Sequence, residues 1–263
     1  MIRVEQVSKT LRGKLILDSV NLVVPDASVV VVLGPSGAGK TTLLKIIAGI
    51  MTPDSGRVIY DAPHFTKSVA RPEIGFVFQN GALFDFLNVF ENLALPLRER
   101  AGFSDNEINR RVQDVLRRVG FDKFQVSGSA FGSCQGSARF PSVVSALRTE
   151  NDEPRTDNQE VSLLSVRQLS GGMMRLVAIA RALIYEPKYI FFDEPTSGLD
   201  PLLKERVCGL IRGLPQQWER SAVVVTHDLE LAEKLTGHLY ILKAGKLISS
   251  AEIKKEDYEP ADA

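Results

Sequence analysis

Cysteine is nearly missing from this 263-residue chain: Cys134 and Cys208 stand far apart and form no C-x-x-C pair. That spacing gives no support to a disulfide framework or a structural zinc site, and it fits a reducing cytosolic compartment. An excess of one charge is also lacking, because 32 Lys and Arg balance 32 Asp and Glu. No global field then draws the chain to nucleic acid or anionic lipid, so no nucleic-acid partner is expected, and any charged partner needs a local patch. Long apolar runs are absent too. The most apolar windows, Val29 to Leu33 and Ile190 to Phe192, fall far short of the roughly 20 residues that span a bilayer as a helix. Met1 to Glu5 begins like a strand and lacks the charged-then-apolar plan of a signal peptide, so export by that route is not expected. What remains, 44% hydrophobic and 24% charged residues, is the composition of a packed globular chain.

The order of the apolar segments points to an α/β fold. Val29 to Leu33 is a β-branched run without alternation, as a parallel strand buried on both faces requires. Thr41 to Ile50 then carries apolar residues at helical spacing, stopped by Gly49 and Pro53. Short apolar runs recur at Ile74 to Phe78, Tyr189 to Phe192 and Ala222 to Val225, so a mostly parallel sheet is expected. Leu239 to Leu242, Ala244-Gly245 and Lys246 to Ile248 read as a closing hairpin. Between Phe78 and Tyr189 the pattern becomes helical. Ser104 with Glu107 forms a capping-box signature, and Ile108, Val112, Val115 and Val119 share one face. Arg110, Arg111, Arg117 and Arg118 fall largely elsewhere, as a solvated face or a binding patch. From about 125 to 165 the chain is rich in Ser, Gly, Asn and Asp, and reads as a loose insertion. Its two readings are an expendable surface loop and a regulatory or partner-binding segment.

Three segments carry chemistry. Gly34-Pro35-Ser36-Gly37-Ala38-Gly39-Lys40-Thr41 fits G-x-x-x-x-G-K-[ST] and lies between a buried strand and a helix start. Glycines there let backbone N–H groups surround phosphate oxygens, and the helix N-terminus adds positive potential. Lys40 is expected to reach the β- and γ-phosphates and the Thr41 hydroxyl to bind Mg²⁺. Tyr189 to Glu194 is an apolar strand ending in two carboxylates, which alternation sends in different directions. Asp193 is placed to hold Mg²⁺, and Glu194 to polarise the water that attacks the γ-phosphate. Leu169-Ser170-Gly171-Gly172-Met173 opens another helix and so offers a second anion cradle. Two cradles are reconciled by a head-to-tail pair of chains, the Ser-Gly-Gly turn of one closing over ATP held by Lys40 of the other.

On these motifs the sequence resembles the ATP-binding cassette (ABC) transporter ATPases over nearly its whole length, the loose insertion excepted. The resemblance implies a P-loop NTPase (RecA-like) sheet core, an inserted α-helical subdomain and an N-terminal antiparallel β portion. It places the nucleotide-binding core at 1–86 and 187–263 and the helical subdomain at 87–186. Gln79 matches the Q-loop glutamine, which contacts Mg²⁺ or the attacking water. Ser197-Gly198-Leu199-Asp200 matches the D-loop, which crosses to a partner chain, and His227 matches the switch histidine at the γ-phosphate. His64 and His238 read as ordinary surface or core residues. The implied catalytic set is Glu194, His227 and Gln79; the metal set is Thr41, Gln79 and Asp193. The implied ATP-binding set is Gly34 through Thr41 with Thr42, Leu11, Ser170, Gly171, Gly172 and Asp200.

This chain departs from the family in three places. Leu11 stands where an aromatic ring often stacks on adenine, Met173 replaces the usual signature glutamine, and Leu176 occupies a common arginine position. The segment Gln79 to Asn92, continuing to Glu99, is similar to the ATPases of MlaFEDB and Mce-type lipid transporters. The resemblance therefore implies ATP and Mg²⁺ as cofactors. As partners it implies a second copy of the chain, an integral membrane permease and a Mce-type lipid-carrying subunit. It also implies a peripheral place on the cytoplasmic face of the inner membrane. Phe84, Phe86 and Phe90 would line a groove gripping a permease helix, or else fill the helical subdomain's own core. The rival functions are the motor of another small-solute transporter, a non-transport ABC ATPase and a binding module without catalysis.

Overall fold

The computed structural model describes residues 1–61, 73–99, 102–121, 163–235 and 237–249. Backbone proximity divides the chain into two compact units, Met1–Leu83 with Ser170–Ala263, and Phe84–Leu169.

The first unit opens with β1 (Ile2–Leu11) and β2 (Lys14–Val24), an antiparallel hairpin. Its two turn residues, Arg12 and Gly13, both have positive φ (51° and 76°), the backbone that suits the twist of a two-residue hairpin. β3 (Val29–Leu33) is buried at every residue, which explains its lack of alternation. After α1 (Lys40–Ile47), β4 (Ser55–Tyr60) pairs with β1 and completes a three-stranded sheet in the order β2-β1-β4. A second sheet has the order β5-β6-β7-β3-β8-β9, built from β5 (Ile74–Val77), β6 (Tyr189–Asp193), β7 (Ser221–Thr226), β8 (His238–Lys243) and β9 (Lys246–Ser249). Only β9 runs antiparallel to its neighbour. Leu43, Leu44, Ile46 and Ile47 of α1 join one core with Ile2, Val4 and Leu22 of the first sheet and Val32, Phe191 and Val225 of the second. The apolar face of this amphipathic helix is thereby buried between the two sheets.

Three more helices belong to this unit: α4 (Gly171–Leu183), α5 (Pro201–Trp218) and α6 (Leu229–Leu235). The resemblance assigned α4 to the helical subdomain, but it groups with the sheets. Its backbone lies so close to β5 that a Cβ on Gly75 would stand 2.4 Å from the Ala182 carbonyl oxygen.

The second unit contains α2 (Val89–Glu99) and α3 (Asp105–Arg118). Ile108, Val112, Val115 and Val119 are all buried, as their spacing requires. The Ser104 hydroxyl accepts from the Glu107 N–H at 3.3 Å, giving one arm of the expected box. The Glu107 carboxylate instead accepts from Arg111. The loose insertion lies outside the described residues except at its last three positions, as do Cys134 and His64. Cys208 is buried as a free thiol, and His238 is exposed. No helix among the described residues is long and apolar enough to cross a membrane.

Candidate functional site

The carboxyl ends of β3, β6 and β7 meet at one edge of the central sheet, and the glycine loop leaves from there. The Gly34 amide donates to the Thr226 carbonyl at 3.2 Å, tying the loop's first residue to β7. Two glycines are sterically required. A Cβ at Gly34 would stand 2.4 Å from the Leu242 carbonyl oxygen, and one at Gly39, where φ is 100°, 2.7 Å from Ile16 Cγ2. Gly39 is the N-cap of α1 and no side chain caps that helix, so its first N–H groups are left for a ligand. Pro35, Ser36 and Gly37 are exposed, while Ala38, Thr41 and Thr42 are half-buried.

Lys40 is only 6% exposed, and its position needs strong partners. Its Nζ donates to the carbonyls of Gly34 (2.8 Å) and Pro35 (3.1 Å) and forms an ion pair with Glu194 Oε1 at 3.3 Å. The Thr41 hydroxyl donates to Asp193 Oδ1 at 2.9 Å, joining the helix start to the end of β6.

Asp193 and Glu194 do diverge, but strand alternation is not the whole cause. Glu194 has φ 49°, a left-handed backbone that is costly for this residue type and recurs at functional sites. Its N–H remains tied to the Val225 carbonyl at 2.9 Å. The turn sends Glu194 Oε2 to the Thr226 hydroxyl (3.2 Å), the His227 N–H (3.3 Å) and His227 Nδ1 (2.9 Å). Both carboxylates are buried. Burial pushes the Asp193 carboxyl up from its ordinary range, opposed by the Thr41 hydrogen bond and reinforced by the charge of Glu194.

The structure thus brings Lys40, Thr41, Asp193, Glu194 and His227 together. Gln79 is exposed in the turn after β5, the strand that pairs with β6, so topology puts it at the same sheet edge. Ser170 caps α4 with its own hydroxyl, which accepts from the Met173 N–H at 3.2 Å, whereas α1 is uncapped. Gly171 is exposed, and Gly172 packs where a Cβ would meet Leu203 Cδ1 at 2.0 Å. Asp200 caps α5 by accepting from the Leu203 N–H at 3.1 Å. Leu11 pairs with Lys14 at the hairpin end, but the hairpin residues lying against Gly39 are Ile16 and Leu17.

Sequence reasoning gave no role to Thr226 or Asp228. Thr226 Oγ1 donates to Glu194 and accepts from the Asp228 N–H at 3.0 Å, fixing the bend that carries His227. A threonine ending a buried valine strand was the only signal.

The donor set suits Mg²⁺ held jointly with a substrate. No cluster of three or more His, Cys, Asp and Glu side chains exists among the described residues, and the adjoining Thr41 hydroxyl and Asp193 carboxylate are oxygen donors that could hold a metal together with phosphate oxygens. The glycine loop, the uncapped helix and Lys40 suit the phosphates themselves.

Comparison with known proteins agrees with this chemistry. The family model described as "ABC transporter" matches residues 17–197. The probable sulfate/thiosulfate import ATP-binding protein CysA of Chlorella vulgaris is 33% identical, over 99% of this chain and 95% of its own length. The intermembrane phospholipid transport system ATP-binding protein MlaF of Haemophilus influenzae is 31% identical, over 95% and 83% respectively. A solved dimeric ATP-binding cassette in a post-hydrolysis state, bound to ADP and Pi, superposes with a TM-score of 0.71 at 29% identity, covering 94% of this chain and 96% of that one. This chain therefore belongs to the ABC transporter family, as an ATPase subunit of the P-loop fold that binds ATP with Mg²⁺.

Proposed function

We propose that this chain is the motor of a phospholipid or other lipid transporter of MlaFEDB or Mce type. It dimerises on ATP and drives a separate permease from the cytoplasmic face of the inner membrane. The observation that carries coupling to a membrane partner is an exposed aromatic pair. Phe84 and Phe86 are 41% and 76% exposed, with ring centroids 5.6 Å apart, while Phe90 is half-buried. Such a pair on a surface loop is better explained by a protein partner than by the core of its own unit. The lipid reading is supported by the likeness to MlaF, and a Mce-type lipid-carrying subunit is the further partner it implies. The likeness to CysA favours a second reading, a sulfate or thiosulfate importer.

In this reading the glycine loop and Lys40 hold the phosphates, and Thr41 and Asp193 hold Mg²⁺. The metal, when bound, neutralises charge on the β- and γ-phosphate oxygens. Glu194 accepts a proton from the water whose oxygen bonds to the γ-phosphorus as the bond to the β-phosphate oxygen breaks, giving ADP and phosphate. His227 orients Glu194 and reaches toward the γ-phosphate, and Gln79 positions metal or water. Ser170, Gly171, Gly172 and Asp200 belong to the face that a second copy covers.

Purification with the native membrane partner, followed by mass spectrometry of co-purified lipids and ATPase assays with added phospholipid or sulfate, tests the cargo. Bound phospholipid and stimulation by lipid alone are expected. Stimulation by sulfate with no enriched lipid supports the importer.

A further inference from the structure

The turn that carries Gln79 is fastened at both ends by a single helix. The Phe78 carbonyl accepts from the Gly81 N–H at 2.8 Å, closing the turn, and also from Arg175 of α4 at 2.9 Å. At the other end the Gly81 carbonyl accepts from Arg181 of α4 at 3.1 Å. Between these two bonds the turn lies on the helix itself. A Cβ at Gly81 would touch the Ala178 Cβ at 3.5 Å and the Met174 carbonyl oxygen at 3.9 Å. Met174, Ala178 and Arg181 share one helical face, and Arg175 flanks it.

Arginines in these surroundings are not ordinary packing. Arg175 is buried, and burial pulls both guanidinium groups down from their usual range, with Asp193 opposing the fall at Arg175. Charged donors to a carbonyl give stronger, better directed hydrogen bonds than neutral ones.

We propose that Arg175 and Arg181 are positioning residues for hydrolysis: they pin the Phe78–Gly81 turn to the helix that begins at Ser170, and so set where Gln79 stands at the sheet edge. The proposal rests on the reading that Gln79 takes part in the reaction. It makes α4 a rigid connection between the Ser170 end, which a second copy covers, and the glutamine turn. The competing account gives the arginines a purely structural task, fastening β5 to α4.

The test combines hydrogen exchange with a double-mutant cycle on the purified full chain with MgATP. Arg175→Met should speed amide exchange in residues 78–82 while α4 and β6 stay protected. It should lower kcat about tenfold, within the range that small misplacements cause, and leave KM nearly unchanged. Arg175→Lys should restore part of kcat. In a Gln79→Ala background, Arg175→Met should have no further effect, because both changes remove the same contribution. Arg181→Gln carries the same cycle should Arg175→Met fail to fold. Unchanged exchange in the turn overturns the brace. Multiplicative losses, with Gln79→Ala itself slow, overturn this proposal and leave the role of Gln79 standing. Parental turnover of Gln79→Ala overturns the role of Gln79 and the proposal with it.

Discussion

His227 Nδ1 stands 2.9 Å from Glu194 Oε2, and the same oxygen accepts from the His227 backbone N–H. The histidine thus meets Glu194 through both ring and main chain, while Glu194 Oε1 faces Lys40. One carboxylate consequently joins the glycine loop, β6 and the bend after β7. A change at any of these elements is felt at the Glu194 carboxylate.

Lys40→Ala should weaken ATP binding itself. A positive charge that contacts phosphate in the ground state contributes to affinity before any chemistry occurs. Nucleotide titration by fluorescence or calorimetry checks this, and an unchanged Kd would contradict the assignment. The variant also leaves Glu194 without its ion-pair partner, so some loss of stability should accompany the loss of affinity.

Ser170→Arg should leave ATP binding by the single chain intact and block ATP-induced pairing. Ser170 is exposed at the N-terminus of α4, so the larger side chain has room in the single chain, where losing the cap costs about 1 kcal/mol, and clashes only when a second copy approaches. Light scattering with MgATP, in a Glu194→Gln background that slows hydrolysis, is the measurement. Dimers forming as readily as with Ser170 present would count against the paired arrangement.

Phe86→Asp should weaken assembly with the permease and stop transport while the isolated subunit stays folded and binds ATP. At 76% exposure the ring contributes little to its own unit, so the stability change should stay within about 0.5 kcal/mol. Co-purification read beside thermal unfolding separates the outcomes. A large fall in Tm would return the ring to the core.

Asp228→Asn should destabilise the chain at neutral pH by about 0.2–1 kcal/mol, since asparagine still caps α6 at the Leu231 N–H but loses the charge that pairs with Lys204. Burial alone would raise the carboxyl, but the Leu231 N–H and Lys204 outweigh it and hold it below its usual range. A depressed native value means this stability is fully present above the unfolded value of 3.8 and is lost as pH falls through the native one. The gap in Tm between parent and variant should therefore be open near pH 7 and close below about pH 3.8. A gap independent of pH would show that packing rather than charge is responsible.

Local patterns with strong physical constraints could be read from the sequence. Gly34 to Thr41 lay between an unalternating valine strand and a helix, and two of the loop's glycines, Gly34 and Gly39, prove sterically necessary. Glu194 was legible as the second of two carboxylates, but its left-handed backbone was not, because no residue preference marks a glutamate at positive φ. The Ser104 hydroxyl caps α3 as its spacing indicated, yet Glu107 turns to Arg111, a competition that spacing cannot weigh. The placement of α4 with the sheets depended on close backbone approach at Gly75, and its arginines' grip on the Gln79 turn joins residues about 100 positions apart. Such long-range contacts leave no periodic signature.

The central claim is that Glu194 receives the proton from the attacking water at the γ-phosphate of ATP. Glu194→Gln preserves the shape and the acceptor oxygen facing Thr226 and His227 but removes the basicity. Single-turnover hydrolysis measured beside MgATP affinity decides the matter. The variant should bind MgATP at least as well as the parent and hydrolyse it about 10²- to 10⁴-fold more slowly, the usual worth of a positioned general base. Turnover close to the parent's, with binding intact, would contradict the account.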